Sequence, residues 1–202
     1  MRKGNDKNVN PIIYLPDVSS DMLKLFFEAF HLKQIYREGW LRKGIKKKKT
    51  ETDAEHIFGV VFMTMIISKR FPEIDMLKVI QMAIIHELGE IDAGDIPTPD
   101  NFPKKEKYKI EHACIERLFR NIKDGEKYIK IWEEFEESKT IESKVVKMMD
   151  KLEMLVTALI YECHGYSELS EFYSERIKAL LSHPDIKDIL DEILHLRKSI
   201  RG

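Results

Sequence analysis

The sequence has few cysteines, glycines and prolines, with 2, 9 and 7 of them among 202 residues. Cys114 and Cys163 are too few for a disulfide framework and lack metal-ligand spacing, so we expect both in the core of a protein from a reducing cytoplasm. A chain of this length can bury a substantial core without disulfides or structural zinc. The fold is therefore expected to depend on side-chain packing.

The sequence also lacks a long apolar run and an excess of either charge. Its most apolar stretch, residues 59–67, is far shorter than the roughly 20 residues that span a bilayer. Lys and Arg (34) nearly balance Asp and Glu (35), which leaves a net charge of −1 and no general attraction to polymeric nucleic acid or to acidic membranes. These features predict a soluble protein whose partners include neither polymeric nucleic acid nor a membrane. Any anionic ligand is expected to bind through a local group of residues.

What the sequence does contain is a series of long segments whose apolar residues recur every three or four positions. This spacing is typical of amphipathic helices packed against one another, and no strand-like alternation accompanies it. We predict an all-α fold, a single-domain helical bundle of about seven or eight helices, over residues 1–202 with a polar N-terminal tail at 1–16. The predicted helices cover residues 18–36, 52–70, 75–94, 104–121, 125–137, 141–163, 168–181 and 184–197.

Polar side chains interrupt the apolar pattern of the third predicted helix. His86, Glu87 and Glu90 lie in an otherwise apolar segment, where their burial would be costly unless they are paired or bound to a metal. On a continuous helix, His86 and Glu90 share one face and Glu87 is turned about 100° aside. The segment therefore offers a pair of metal ligands together with a carboxylate for proton transfer.

Two further residues indicate where other ligands could originate. Asp150 lies among apolar residues of the predicted helix 141–163, and aspartate is rarely buried without a partner. His56 lies one turn inside a helix whose start is marked by the capping-box residues Thr52 and Glu55. Two imidazoles and two carboxylates suit Mn²⁺, Fe²⁺, Co²⁺ or Zn²⁺ better than Ca²⁺. The alternative interpretation is a buried network of ion pairs.

The residues around these positions resemble the 5'-deoxynucleotidase branch of the HD-domain superfamily. The resemblance lies in the order of a lone histidine, a histidine–acid pair and a distant aspartate, in the segments 86–90 and 94–99, and in Arg37 with Trp40 upstream. One position departs from the family pattern, because Glu87 stands where the family has aspartate. The longer carboxylate can still bind a metal but can alter which metal is preferred.

By this resemblance, the fold is a helical bundle of the HD-domain type, and the protein is a homodimer that binds one divalent metal ion (Co, Mn, Zn, Fe or Mg). The resemblance assigns catalysis to Glu90 and Asp95. It assigns contacts with the phosphate and sugar of the substrate to Arg37 and Trp40. The implied metal ligands are His56, His86, Glu87 and Asp150.

The resemblance implies a phosphoric monoester hydrolase that converts deoxyribonucleoside 5'-monophosphates to deoxynucleoside and phosphate. One alternative is an HD phosphohydrolase that acts on a nucleoside triphosphate or a signalling nucleotide, for which we would expect more basic residues than the run at 46–49. Another is a catalytically silent nucleotide-binding protein, which Glu87 makes conceivable. The presence of both Glu90 and Asp95 argues against the silent protein, since a pure binder would not need both acids.

Overall fold

The computed structural model describes residues 18–96, 102–166 and 169–201. The predicted polar tail at 1–16 and residues 97–99 of the segment that resembles the family lie outside the described residues. Within them all regular structure is helical, apart from an isolated antiparallel bridge between Tyr36 and Thr52. The all-α prediction is confirmed. The α-helices are α1 (Asp21–Ala29), α2 (Glu38–Arg42), α3 (Asp53–Ile67), α4 (Met76–Ile85), α5 (Glu90–Ala93), α6 (Lys104–Phe119), α7 (Gly125–Glu137), α8 (Ile141–Cys163), α9 (Glu175–Leu180) and α10 (Lys187–Arg201).

Internal contacts group the chain into two compact units. The first comprises Met1–Ile57 and Ile85–Glu133, and the second comprises Phe58–Ile84 and Glu134–Gly202. Each unit therefore combines two stretches that are distant in the sequence. In the part of the chain that the structure describes, no helix is both long enough and apolar enough to cross a membrane.

In the first unit, α1 and α5 both pack against α6. Arg117 of α6 joins the three helices, because its guanidinium pairs with Glu28 of α1 and lies 3.0 Å from Asp92 of α5. Cys114 is buried here, as predicted. The other buried apolar side chains of this unit include Leu32, Ile35, Trp40, Ile45, Leu88, Ile91, Ile115, Leu118 and Trp132.

In the second unit, α10 packs against α8. Arg197 of α10 donates from Nε to Glu162 Oε2 at 2.9 Å and lies 3.8 Å from the ring centroid of Tyr173. The prediction that Cys163 lies in the core is wrong, because this last residue of α8 is exposed. The apolar core includes Val146, Met149, Leu152, Leu155, Ala158, Leu169, Leu181, Ile186 and Leu190.

Several helix boundaries agree with those read from the sequence. Helices α6, α7 and α8 begin at residues 104, 125 and 141, as predicted. Thr140 caps α8, since its hydroxyl oxygen accepts a hydrogen bond from the amide of Ser143 at 3.3 Å. The first predicted helix is shorter than expected, because α1 gives way to a 3₁₀ helix at Phe30–Lys33.

The prediction of one continuous helix over 75–94 is wrong in its middle. Helix α4 ends at Ile85, residues 86–89 form a turn, and α5 begins at Glu90. The amide of Leu88 donates to the carbonyl of Ile85 at 3.1 Å, three residues earlier, as in a 3₁₀ turn. Helical periodicity therefore does not govern the directions of the side chains between the two helices.

Gly89 allows this turn to approach α6 closely. A Cβ atom at this position would lie 2.6 Å from the Cβ of Glu111, a distance that a side chain could not keep without a shift of the neighbouring backbone. Because the chain is not helical here, His86 and Glu90 do not share a helix face as predicted. Packing of the turn against α6 positions them instead.

Candidate metal centre and active site

The capping box places His56 in the first turn of α3. The amide of Thr52 donates to Glu55 Oε2 at 2.7 Å, and the amide of Glu55 donates to the Thr52 hydroxyl oxygen at 3.3 Å. This reciprocal pair is the predicted capping box, and it starts α3 at Asp53. His56 is fully buried, and its own amide donates to the carbonyl of Thr52.

His86 and Glu87, in the turn after α4, lie beside His56. Glu87 Oε1 is 3.6 Å from Nε2 of His56 and 3.5 Å from Nε2 of His86. The centroids of the two imidazole rings are 5.6 Å apart. Each of these three residues offers one potential metal-ligand atom, and the three atoms all lie within 4.8 Å of one another. The structure thus brings together three of the four side chains that the resemblance implies as metal ligands.

A carboxylate cluster lies in the same unit and consists of Asp53, Glu90 and Asp95. Each contributes an oxygen within 4.8 Å of the other two. Gly94 has a φ of 75°, a left-handed conformation that glycine adopts readily, and it turns the chain from α5 to Asp95. Asp95 Oδ2 accepts a hydrogen bond from the amide of Glu38 at the start of α2. The two predicted catalytic acids are therefore neighbours.

Arg37, which immediately precedes α2, links the cluster of His56, His86 and Glu87 to the carboxylate cluster. Its Nη1 atom lies 2.9 Å from Glu87 Oε1, 3.3 Å from Asp95 Oδ1 and 3.6 Å from Asp53 Oδ1. The side chain is only 15% exposed. The arginine that the resemblance assigns to substrate binding therefore lies among the predicted metal-binding and catalytic acids.

The buried charges alter one another's protonation. Burial lowers the pKa of Arg37, but the carboxylates of Asp95, Glu87 and Asp53 outweigh burial and raise that pKa above its ordinary value. Burial raises the pKa of Asp53 to about 8, against the lowering influence of Arg37. Burial also raises the pKa of Glu90 well above its ordinary value, and repulsion from Glu87 and Asp95 adds to the shift.

Lys107 of α6 is a second cation in contact with these acids. Its Nζ atom lies 3.0 Å from Glu90 Oε1 and 3.1 Å from Glu111 Oε1. Burial lowers the pKa of Lys107, but the two carboxylates outweigh it, and the pKa lies above its ordinary value. The ammonium group therefore stays protonated beside Glu90.

The chemistry of the donor set fits a divalent metal ion. Two imidazole nitrogens and a carboxylate oxygen, close to one another in a buried position, are a mixture that Mn²⁺, Fe²⁺, Co²⁺ and Zn²⁺ accept. The carboxyl groups of the two clusters also outnumber the cationic side chains of Arg37 and Lys107 that contact them. A bound cation would relieve this excess of negative charge, which otherwise favours protonation.

The two remaining predicted site residues have different surroundings. Trp40 is buried in α2, where its indole nitrogen donates to Glu51 Oε1 at 2.7 Å. With 2% of its surface exposed, Trp40 presents little area to a ligand, and its contact with a sugar stays a prediction.

Asp150 is a buried residue of α8 in the second unit, where its Oδ2 lies 2.9 Å from Nζ of Lys151. Its role as a metal ligand also stays a prediction.

Sequence reasoning missed three members of the site. Asp53 lies between the capping-box residues Thr52 and Glu55, and it precedes His56 by three residues, which places it near the same helix face. Lys107 and Glu111 are four residues apart on α6, but nothing distinguishes them from the other charged residues of that helix. Their position beside Glu90 depends on the packing of α5 against α6.

Comparison with known proteins finds relatives that match most of the chain. The chain is 30% identical to "5'-deoxynucleotidase HDDC2" of Dictyostelium discoideum over 192 residues, which cover 89% of this chain and 100% of the relative. It is 31% identical to the protein of the same name from Xenopus laevis, over 83% of each chain. A solved structure of a conserved hypothetical protein from Pyrococcus furiosus superimposes with a TM-score of 0.74 at 31% identity, over 86% of this chain and 99% of that one.

The family match extends over most of the sequence. Residues 29–191 match the family model described as HD domain, a span that includes both clusters, Lys107 and Asp150. His56, His86 and Glu87, the three residues that lie close together, are all within this span. The chain therefore belongs to the HD domain family.

Proposed function

We propose that this protein is a divalent-metal-dependent phosphohydrolase that converts deoxyribonucleoside 5'-monophosphates to deoxynucleoside and phosphate. The observation that carries the proposal is the convergence of His56, His86 and Glu87 beside Arg37 within one compact unit. The substrate class is taken from the relatives named 5'-deoxynucleotidase, which the chain matches over most of its length.

His56, His86 and Glu87 would hold the metal ion, which is Co, Mn, Zn, Fe or Mg. The chemistry that such an ion supplies when bound is Lewis acidity toward water and phosphoryl oxygen. Arg37 would bind the phosphoryl oxygens, because a guanidinium presents several N–H donors in a geometry that matches phosphate. Its contacts with Glu87, Asp95 and Asp53 all involve Nη1, and the guanidinium has further donors on Nη2 and Nε.

Glu90 and Asp95 would hold and move the protons of the reaction. Hydrolysis of a phosphate monoester requires that a proton leave the attacking water and that the leaving alkoxide be protonated. The raised pKa of Glu90 favours its protonated form and suits the donor to the alkoxide. Asp95, whose carboxylate accepts a hydrogen bond from the amide of Glu38, suits the acceptor.

Phosphate release by chelator-stripped protein tests the proposal. The substrates are 5'-dAMP, 5'-AMP, 3'-dAMP and dATP, each with and without added Co²⁺, Mn²⁺ or Mg²⁺. We expect metal-dependent release from 5'-dAMP and little from the other three. Release mainly from dATP would indicate a different HD phosphohydrolase, and no release with any metal, while nucleotide still binds, would indicate a silent binding protein.

A homodimer belongs to the same proposal. Helix α3 exposes an apolar stripe within the second unit, whose members recur every three or four residues. The rings of Phe58 and Phe62 in this stripe stack at 6.2 Å and are 71% and 51% exposed. A second copy of the chain would cover such a face. The stripe consists of Phe58, Phe62, Met65 and Ile66.

A cytoplasmic location stays a prediction from the low cysteine content.

A further inference from the structure

Glu90 is held asymmetrically. Its Oε1 atom accepts a hydrogen bond from Nζ of Lys107 at 3.0 Å. Its Oε2 atom is buried and makes no hydrogen bond among the described residues. The side chain of Glu90 is only 3% exposed, so water does not readily satisfy the second oxygen. A buried carboxylate oxygen without a hydrogen bond is costly, and such atoms in native structures mark a functional role or a bound ligand.

The chemistry of lysine determines which oxygen of Glu90 can carry a proton. An ammonium group has three donors and no acceptor. A proton on Oε1 would point at another donor, so the contact with Lys107 restricts the exchangeable proton of Glu90 to Oε2. Glu111 lies one helical turn after Lys107 on α6, and its Oε1 is 3.1 Å from the same ammonium. This second contact limits the positions that the long lysine side chain can occupy.

We infer that Lys107, itself held by Glu111, is a positioning residue that orients Glu90 so that Oε2 exchanges a proton with the reacting water or alkoxide. This inference rests on the proposed function and names a residue that no sequence pattern singles out. The three side chains lie in the packed region between α5 and α6 of the first unit. Lys107 acts through Glu90 and does not itself need to touch the substrate.

A neighbouring pair on α6 shows what an ordinary surface ion pair looks like in this protein. Lys109 lies 2.8 Å from Glu106, and their side chains are 68% and 52% exposed. Exposed pairs of this kind contribute little to stability. Lys107 and Glu90 are 31% and 3% exposed. Lys109 therefore provides a matched control, with the same side chain on the same helix.

The first experiment measures kcat and KM for 5'-dAMP in the Lys107→Met variant and in the control Lys109→Met, with metal saturating. We expect Lys107→Met to lower kcat by about 100-fold with little change in KM, because a small displacement of a catalytic group has an effect of this size. Lys107→Arg should recover part of the loss, and Lys109→Met should match the unaltered protein. Glu111→Gln should give a smaller decrease in kcat than Lys107→Met.

A double-mutant cycle separates positioning from general damage. If Lys107 acts through Glu90, the substitution Lys107→Met should lower kcat much less in a Glu90→Gln background than in the unaltered protein. A merely structural role would give the same fold loss in both backgrounds. Thermal unfolding of each variant identifies any that fails to fold, and in that case Lys107→Arg and Glu111→Gln provide the comparison.

The failure of this inference can be told apart from the failure of the proposed function. If the unaltered protein releases phosphate from 5'-dAMP and folded Lys107→Met keeps its kcat, the positioning role is wrong and the proposed function is unaffected. Additive losses in the double-mutant cycle would also overturn the role. If the unaltered protein hydrolyses no substrate with any metal, both proposals are wrong.

Discussion

At the scale of single residues, the site combines groups that would be unstable in isolation. Arg37 is nearly buried, and three carboxylate side chains lie within 3.6 Å of its Nη1. Removing one partner of a buried ion pair costs about 3–5 kcal/mol of stability, because the other charge is left uncompensated. The cluster is therefore a set of mutually dependent charges, and changes of one member should affect the others.

Glu87 is the residue whose replacement should change metal binding most directly. Glu87→Gln keeps the shape of the side chain but removes the charge from the oxygen that lies 3.5 Å and 3.6 Å from the two imidazoles. We expect affinity for Mn²⁺ or Co²⁺ to fall at least about tenfold, as measured by metal titration followed by metal analysis after dialysis. Glu106→Gln, an exposed residue of α6, is the control. Equal metal content in Glu87→Gln would rule out Glu87 as a ligand.

Asp53 should give the metal-free protein an unusual dependence of stability on pH. Its pKa of about 8 in the folded protein lies above the ordinary value, so the folded protein binds more protons than the unfolded chain over the intervening range. The resulting contribution to the free energy of unfolding is complete below the unfolded pKa, and it is lost progressively as the pH rises from there to the folded pKa of about 8. Denaturant unfolding of the metal-free protein from about pH 5 to about pH 9 measures this loss.

Asp53→Asn isolates the contribution of this carboxyl group. The variant should show a smaller decline in the free energy of unfolding as the pH rises toward about 8, because the amide cannot lose a proton. Other titrating groups affect both proteins alike, and the difference between the two curves reports on Asp53. Identical curves would mean that the folded pKa of Asp53 is not raised.

At the scale of elements, the start of α3 and the turn between α4 and α5 determine the geometry of the metal ligands. His56 depends on the capping box, and His86 and Glu87 depend on a turn that is not helical. The first turn of a helix and an isolated turn have few internal hydrogen bonds, so their positions depend on caps and on packing. The ligands are therefore sensitive to substitutions that do not touch them.

The two threonine caps offer a matched test of this sensitivity. Thr52→Ala and Thr140→Ala each remove a hydroxyl oxygen that accepts a hydrogen bond at the start of a helix, at 3.3 Å in both cases. Each should lower the free energy of unfolding by about 1 kcal/mol. Only Thr52→Ala should also weaken metal binding, because α3 carries His56 in its first turn. Unchanged metal affinity in Thr52→Ala, with the expected loss of stability, would contradict this role of the cap.

At the scale of the whole molecule, the exposed stripe of α3 leads to the prediction of a homodimer. Phe62→Lys places a charge in the middle of this apolar face and should convert a dimer to a monomer, as measured by light scattering after size-exclusion chromatography. Phe26→Lys on α1 is the control, since Phe26 is also an exposed phenylalanine, at 48%. A monomeric unaltered protein would contradict the dimer, and dissociation by Phe26→Lys alone would place the interface on α1.

Much of the site could be predicted from the sequence because its chemistry leaves local signals. The polar residues of the 86–90 segment interrupt an apolar pattern, and the capping box marks the start of α3 next to His56. The boundaries of α6, α7 and α8 follow from apolar periodicity and, for α8, from a threonine cap. In each case the determining interactions lie within a few residues of one another along the chain.

The sequence by itself determined the helical class, the family and the histidine and carboxylate residues around which the metal site is proposed, because spacing and residue type carry that information. Only the tertiary structure decided that His86 lies in a turn and that Arg37 contacts acids of both clusters. It also decided that Lys107 donates a hydrogen bond to one oxygen of Glu90. The contacts of Arg37 with these acids and of Lys107 with Glu90 join residues that are 16 to 58 positions apart. Close packing of α5 on α6 creates the contact between Lys107 and Glu90, and periodicity along the chain cannot encode contacts between distant residues.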